Sequence, residues 1–242
     1  MASVFQANLN VHNADYKPLK NIILTDDSPM TGMTWHEAAW YCNWLSGQEG
    51  LPESQWCYEQ NKDGVYGPGM KAKEKFWELT GYRLPTESEW EFSCRAGAET
   101  SRFYGSAESL LPYYAWHLSN GDNHTHPVAS LKPNDLGLFD MQGNSLEWCF
   151  DEYMSYPMPS GLLSVFQRNT IPADSPHTRS VAASGRRVLR GGSFLSQMTI
   201  VRSAYRLPSP SAIGSPYSSF RPARTYEPTP EQRYPCPPRK TR

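Results

Sequence analysis

Apolar and polar positions alternate with a helical period at only two clear places in the chain. The first begins at Thr34. Ala38, Ala39, Cys42 and Leu45 recur at intervals of three and four, the spacing that lines one face of a helix. Thr34 and Glu37 stand at capping-box spacing, and Gly47 with Gly50-Leu51-Pro52 marks the expected end. The second begins at Thr86, again with a glutamate three residues on, and Trp90 and Cys94 fall on one face. Phe76, Trp77 and Leu79 predict a further short helix over 71–80. Tyr82-Arg83-Leu84-Pro85 reads as extended, because a residue before proline avoids the helical region. Gly137–Met141 and Leu146–Cys149 read as two short strands about a Gly143-Asn144 turn.

Between these elements the pattern lapses. Trp56, Tyr58 and Tyr66 anchor a loop over 52–70 that turns at Asn61–Gly64, and 97–135 is mostly loop. Residues 154–186 have no periodicity and read as a long insertion. Residues 1–32 form a weakly patterned lead-in, 33–226 the domain, and 227–242 a proline-rich tail.

Composition narrows the function. The 242 residues include 8 Trp, 14 Tyr, 17 Gly and 21 Pro, a loop-rich chain pinned by aromatic anchors. A formal net charge of −1 and no basic stripe exclude a nucleic-acid partner. No run approaches the roughly 20 apolar residues of a membrane span. The N-terminus lacks a signal peptide, so a cytoplasmic protein or a fragment of a larger one is expected. The five cysteines, Cys42, Cys57, Cys94, Cys149 and Cys236, show no CxxC spacing and read as core thiols rather than zinc ligands. His124 and His126 make a His-Thr-His step near Asp122; it reads as a solvated loop, with no third strong ligand evident.

Four segments in order, GYRLPTESEWEFSCRAG (81–97), NDLGLFDMQGNSLEWC (134–149), RVLRGGSF (187–194) and FRPARTY (220–226), resemble the formylglycine-generating-enzyme or sulfatase-modifying-factor family from about Met33 to Tyr226. The resemblance implies an α+β, C-type-lectin-like fold with much irregular structure, in which the motif Trp and Arg residues are structural. Family members carry a further strand-bearing segment ahead of the first helix, where this chain has about thirty unfamiliar residues. The family's oxidases bind copper through two cysteines soon after the RGGS motif. Here Ser193 is followed by Phe194-Leu195-Ser196-Gln197-Met198-Thr199-Ile200-Val201, without a thiol, so no copper is expected and the chain reads as a non-catalytic member. By the same resemblance Asp140, Gly143, Ser145 and Glu147 match a structural calcium site.

Tyr205–Ser219 is, Arg206 aside, built from Tyr, Leu, Pro, Ser, Ala, Ile and Gly. Variable proteins of diversity-generating retroelements use this fold and this location for a diversified surface, with a similar residue set. The expectation is a ligand-binding face of Leu195, Ser196, Thr199, Ile200, Tyr205, Leu207, Ser209, Ile213 and Tyr217, directed at a protein or surface ligand. The alternatives are a diverged formylglycine-generating oxidase, or an accessory domain of a larger signalling or defence protein.

Overall fold

Both capping boxes form as their spacing requires. In the computed structural model, which describes residues 21–155 and 185–226, helix α1 spans Trp35–Gln48 and helix α2 spans Glu87–Arg95. At the start of α1 the Glu37 N–H donates to Thr34 Oγ1 at 3.1 Å, and the Thr34 N–H donates to Glu37 Oε2 at 2.7 Å. Thr86 and Glu89 repeat the exchange at 3.2 and 2.8 Å. Two orphan donors are satisfied at each start. Gly47 lies within α1 and does not end it. A Cβ there would come 3.1 Å from the Trp56 ring, so its part is to admit that indole.

The segment 71–80 is not a helix. It is strand β2 (Lys71–Ala72), antiparallel to β1 (Tyr58–Glu59), followed by a 3-10 turn at Phe76–Glu78. Lys75 sits in the left-handed region at φ +49°, which breaks any helical run. Strand β3 (Tyr82–Arg83) is extended as expected, and pairs with β8 (Ala223–Arg224) near the far end of the chain.

The main sheet has the order β6-β5-β4-β7, from β4 (Leu146–Glu152), β5 (Arg186–Arg190), β6 (Leu207–Pro210) and β7 (Ser218–Ser219). Only the β4–β7 pairing is parallel. The expected hairpin around Gly143-Asn144 does not form. Gly137, Asp140, Gly143 and Asn144 all take positive φ, so the chain before β4 coils, and β4 pairs with β5 instead. Pro208 and Pro210 are tolerated in β6 because it is an edge strand.

Two indoles lock α1 to β4. Trp35 Nε1 donates to Cys149 O and Trp148 Nε1 to Met33 O, each at 2.8 Å, and both rings are fully buried. Around them pack Ala38, Ala39, Cys42, Leu84 and Leu189; Trp90, Cys94, Met141, Cys149 and Val188 form a second cluster under α2. Cys42, Cys57, Cys94 and Cys149 are free and buried. Burial pushes the Cys57 thiol up to about 12 and the Cys94 thiol to about 11, the signature of inert core thiols. Cys236, the tail 227–242 and most of the 154–186 insertion lie outside the described residues.

The described part of the lead-in is built into the domain. Ile22 O accepts from the Thr125 N–H at 2.9 Å, Asp27 O from the Val128 N–H at 2.9 Å, and the Gly32 N–H donates to Ser218 O at 3.0 Å.

Candidate functional site

Strand β5 ends in a fixed cation that sets up the turn after it. The Arg190 side chain is fully buried and lies over the Trp90 ring, 5.3 Å from its centroid. It pairs with Glu87 at 3.2 Å and with Glu91, and its Nη1 donates to Tyr205 O at 2.6 Å. Gly191 and Gly192 then turn the chain at φ +94° and +83°. The turn is cross-braced: the Gly143 N–H donates to Gly191 O and the Phe194 N–H to Asn144 O, both at 3.0 Å.

Beyond the diglycine the chain closes on itself. The Ser193 N–H donates to Ser196 Oγ at 2.8 Å, and the Ser196 N–H to Ser193 O at 2.9 Å. Arg102 reaches across from the 97–135 loop, donating to Met198 O at 2.8 Å and Val201 O at 3.0 Å. This stretch offers the hydroxyls of Ser193, Ser196 and Thr199 and the Met198 thioether where a cuprous ion needs thiolates. The residues present do not fit copper.

The nine residues expected to form one face divide into three groups. Thr199 and Ile213 are exposed, Ile213 to 58%. Leu195, Ile200, Tyr205 and Ser209 are half-buried. Ser196 is buried as the cap of the Ser193 turn, and it leaves the contact set for that reason. Leu207 and Tyr217 are also half-buried, but they pack against the main core, with Tyr217 edge-on to Phe194 at 5.8 Å. Tyr217 adjoins β7 at one edge of the sheet, whereas Leu207 and Ser209 lie in β6 at the other. The stretch between β6 and β7 runs against the start of α1, where the Trp35 N–H donates to Ser211 O at 3.1 Å.

Asp140, Gly143, Ser145 and Glu147 do gather around one turn, but they do not fit calcium in this arrangement. Both Glu147 oxygens accept from the Arg221 guanidinium at 2.6 Å, and Oε2 also accepts from Trp90 Nε1 at 2.7 Å. Asp140 Oδ2 accepts from the Ala129 N–H at 2.8 Å, and Oδ1 faces Asn144 Nδ2 at 3.5 Å. Burial raises the Asp140 pKa. A guanidinium holds the place a hard cation would need.

Residues 7–226 match the family model of the sulfatase-modifying factor enzyme 1-like domain. The chain belongs to this family. The match begins ahead of Met33, in keeping with a lead-in that is hydrogen-bonded into the domain. A formylglycine-generating enzyme of Streptomyces coelicolor is 36% identical over 129 residues, 48% of this chain and 37% of the relative. The chaperone protein LppX of Paenibacillus barcinonensis is 30% identical over 54% of each chain. The serine/threonine-protein kinase pkn1 of Chlamydia pneumoniae is 30% identical over 81% of this chain but only 24% of the kinase. The chain thus spans about half or less of the length of these relatives. Among solved structures, Treponema denticola variable protein 1 superposes with a TM-score of 0.70 at 26% identity, covering 91% of this chain and 80% of that one. CarF superposes at 0.64 with 22% identity, covering 93% and 82%; this likeness shows the fold. The expected α+β, C-type-lectin-like fold of the sulfatase-modifying family is the one found.

Two positioning residues give no sequence signal. Arg102 and Arg206 hold the stretch after the diglycine and the approach to β6, yet each is an isolated polar residue outside any periodic pattern. Asn144 shows in the sequence only as a turn residue. Only the fold shows which carbonyls they meet.

Proposed function

We propose that this protein is a non-catalytic ligand-binding module of the sulfatase-modifying family, with the segment after the diglycine as its contact surface. The observation that carries this reading is the Ser193–Val201 turn. Its family framework is kept and braced by Arg190, Asn144 and Arg102, while the sulfur donors of an oxidase are replaced by hydroxyl and aliphatic side chains. The likeness to a variable protein supports the same reading. Leu195, Thr199, Ile200, Tyr205, Ser209 and Ile213 are the contact residues, and Leu207 and Tyr217 are their apolar footing. A rigid scaffold beneath aromatic and aliphatic anchors lowers the ordering cost of gripping a protein or surface ligand.

Diversification of the segment has a direct test in the neighbouring DNA. The expected finding is a near-repeat of the coding stretch for 195–220 with adenines at the differing positions. Catalysis has its own test: cuprous titration together with an oxidation assay on a Cys-x-Pro-x-Arg peptide. Metal-dependent turnover would overturn the reading in favour of a diverged oxidase, which the similarity to formylglycine-generating enzymes favours. A second reading, an accessory domain of a longer signalling protein, draws support from the chlamydial kinases, in which the matched stretch is 24% of the length.

A further inference from the structure

The loop from Gly121 to Pro127 gathers three metal-binding side chains. Asp122 and Asn123 both take left-handed backbone, at φ +46° and +62°, and the His124 N–H donates back to Gly121 O at 3.0 Å. The chain therefore doubles over before the His-Thr-His step, which brings Asp122 beside it. One ligand atom from each of Asp122, His124 and His126 lies within 4.8 Å of the others, and no other such group of three occurs among the described residues. The sequence shows the histidine pair but no third ligand; the two left-handed residues provide it.

Each imidazole is held in a tautomer that leaves one nitrogen bare. A carbonyl oxygen only accepts, so the 2.9 Å contact between His124 Nδ1 and Thr125 O places the proton on Nδ1 and leaves the Nε2 lone pair. The 3.2 Å contact between His126 Nε2 and Gly121 O does the reverse and leaves Nδ1. A carbonyl behind a ligating histidine is the usual device that orients it toward a metal.

The loop is built to hold this arrangement. His126 stacks on Trp116 with centroids 3.7 Å apart and planes 10° from parallel. Asn144 clamps its backbone, accepting from the His126 N–H at 3.0 Å and donating to His126 O at 3.1 Å. Thr125 is tied to Ile22 O through its N–H at 2.9 Å and its hydroxyl at 2.8 Å. Gly121 packs so tightly on the diglycine turn that a Cβ would come 2.6 Å from Phe194 O.

We propose that Asp122, His124 and His126 bind one divalent transition-metal ion of the zinc class, leaving at least one coordination position open. Two imidazoles and a carboxylate suit divalent first-row ions such as zinc, cobalt, nickel and ferrous iron. They are too few and too nitrogen-rich for calcium, and too hard for a cuprous ion. Tetrahedral zinc places neighbouring donors about 3.4 Å apart. Metal binding would draw the three donors together from within 4.8 Å, and the exposed Asp122 carboxylate is free to rotate. The ion would lie beside the turn that starts the contact surface, since the Leu118 N–H donates to Ser196 O at 3.0 Å. The proposal does not depend on that surface being used.

The test uses the full chain without a histidine tag, carrying Cys236→Ser to remove the tail thiol, stripped with chelator and titrated with zinc chloride and cobalt chloride. The expected result is one ion per chain, the visible absorption of low-coordinate cobalt, and a Tm raised by zinc. His124→Ala and Asp122→Asn are expected to weaken binding about tenfold or more and to abolish the zinc-induced rise in Tm. Asp122 is exposed, so its substitution keeps the test open if His124→Ala does not fold. Absence of saturable binding to the parent, or binding undiminished in the folded variants, would overturn the proposal.

Discussion

Arg221 holds both carboxylate oxygens of Glu147 at 2.6 Å, joining the end of the domain to the turn that opens β4. Trp90 of α2 adds a third donor to the same carboxylate, so three distant stretches of chain meet at one buried anion. Removing Arg221 leaves Glu147 buried without its countercharge. We expect Arg221→Ala to cost about 3 kcal/mol or more in chemical denaturation. Because the guanidinium already neutralises this carboxylate, neither added calcium nor a calcium chelator is expected to shift the Tm of the parent. A calcium-dependent rise would show that Glu147 exchanges Arg221 for the ion.

Gly143 is the tightest point of the same turn. Its φ is +77°, and a Cβ there would come 2.2 Å from Trp116 O, so space and backbone conformation both exclude a side chain. Gly143→Ala is expected to destabilise by about 3 kcal/mol or to prevent folding. Gly137→Ala is the control: its φ is also +77°, but nothing among the described residues lies within 4 Å of the added Cβ, and only the backbone cost of about 1 kcal/mol applies. Equal losses at the two positions would refute the steric account.

His36 makes stability depend on acid. Burial, reinforced by the neighbouring Arg187, lowers its pKa to about 4, and its Nε2 has no hydrogen-bond partner among the described residues. An unfolded histidine takes up its proton near 6.5, whereas this one resists until about 4. Between those values the unfolded chain binds more protons, so the contribution is complete above pH 6.5 and is lost as pH falls to 4, by about 3 kcal/mol. His36→Gln should flatten that part of the stability-against-pH curve. An unchanged slope in urea melts across this range would show that His36 is not its source.

What the sequence made legible followed from local rules. Thr34 with Glu37 and Thr86 with Glu89 announced both helices, because a capping box is complete within four residues. The strand at Leu146–Cys149 is legible and forms within β4, but its hairpin with Gly137–Met141 does not form, for the opposite reason. The path of the chain before β4 depends on left-handed backbone at Asp140 and Asn144, which no apolar alternation reveals. Asp122 stands near the histidines in the sequence but does not read as a third ligand, because the left-handed backbone at Asp122 and Asn123 that brings it beside them leaves no mark on the pattern. Ser196 looked like a surface residue because serine usually is, and only its bond to the Ser193 N–H shows it to be a cap. The family motifs located the framework but carried no information on which of the nine contact residues would turn inward.

The approach to the contact surface is held from α2, and that hold can be released alone. Arg206 grips both oxygens of Glu87 at 2.5 and 2.6 Å, donates to Met154 O at 3.0 Å, and lies over the Tyr153 ring at 4.9 Å. Glu87 also pairs with Arg190, so loss of Arg206 leaves no stranded anion, and Arg206→Ala should cost only about 1–2 kcal/mol. Its main effect should fall on β6, an edge strand that among the described residues pairs with β5 alone and is weakened by Pro208 and Pro210, which donate no hydrogen bonds. Hydrogen exchange of 205–211 is expected to quicken while β4 and β5 keep their protection. Affinity for any ligand of this surface should fall with it, because ordering cost returns to the binding step. If exchange in 205–211 were unchanged, the surface would owe its rigidity to the Arg190–Tyr205 contact instead, and the corresponding loosening should then appear in Arg190→Met.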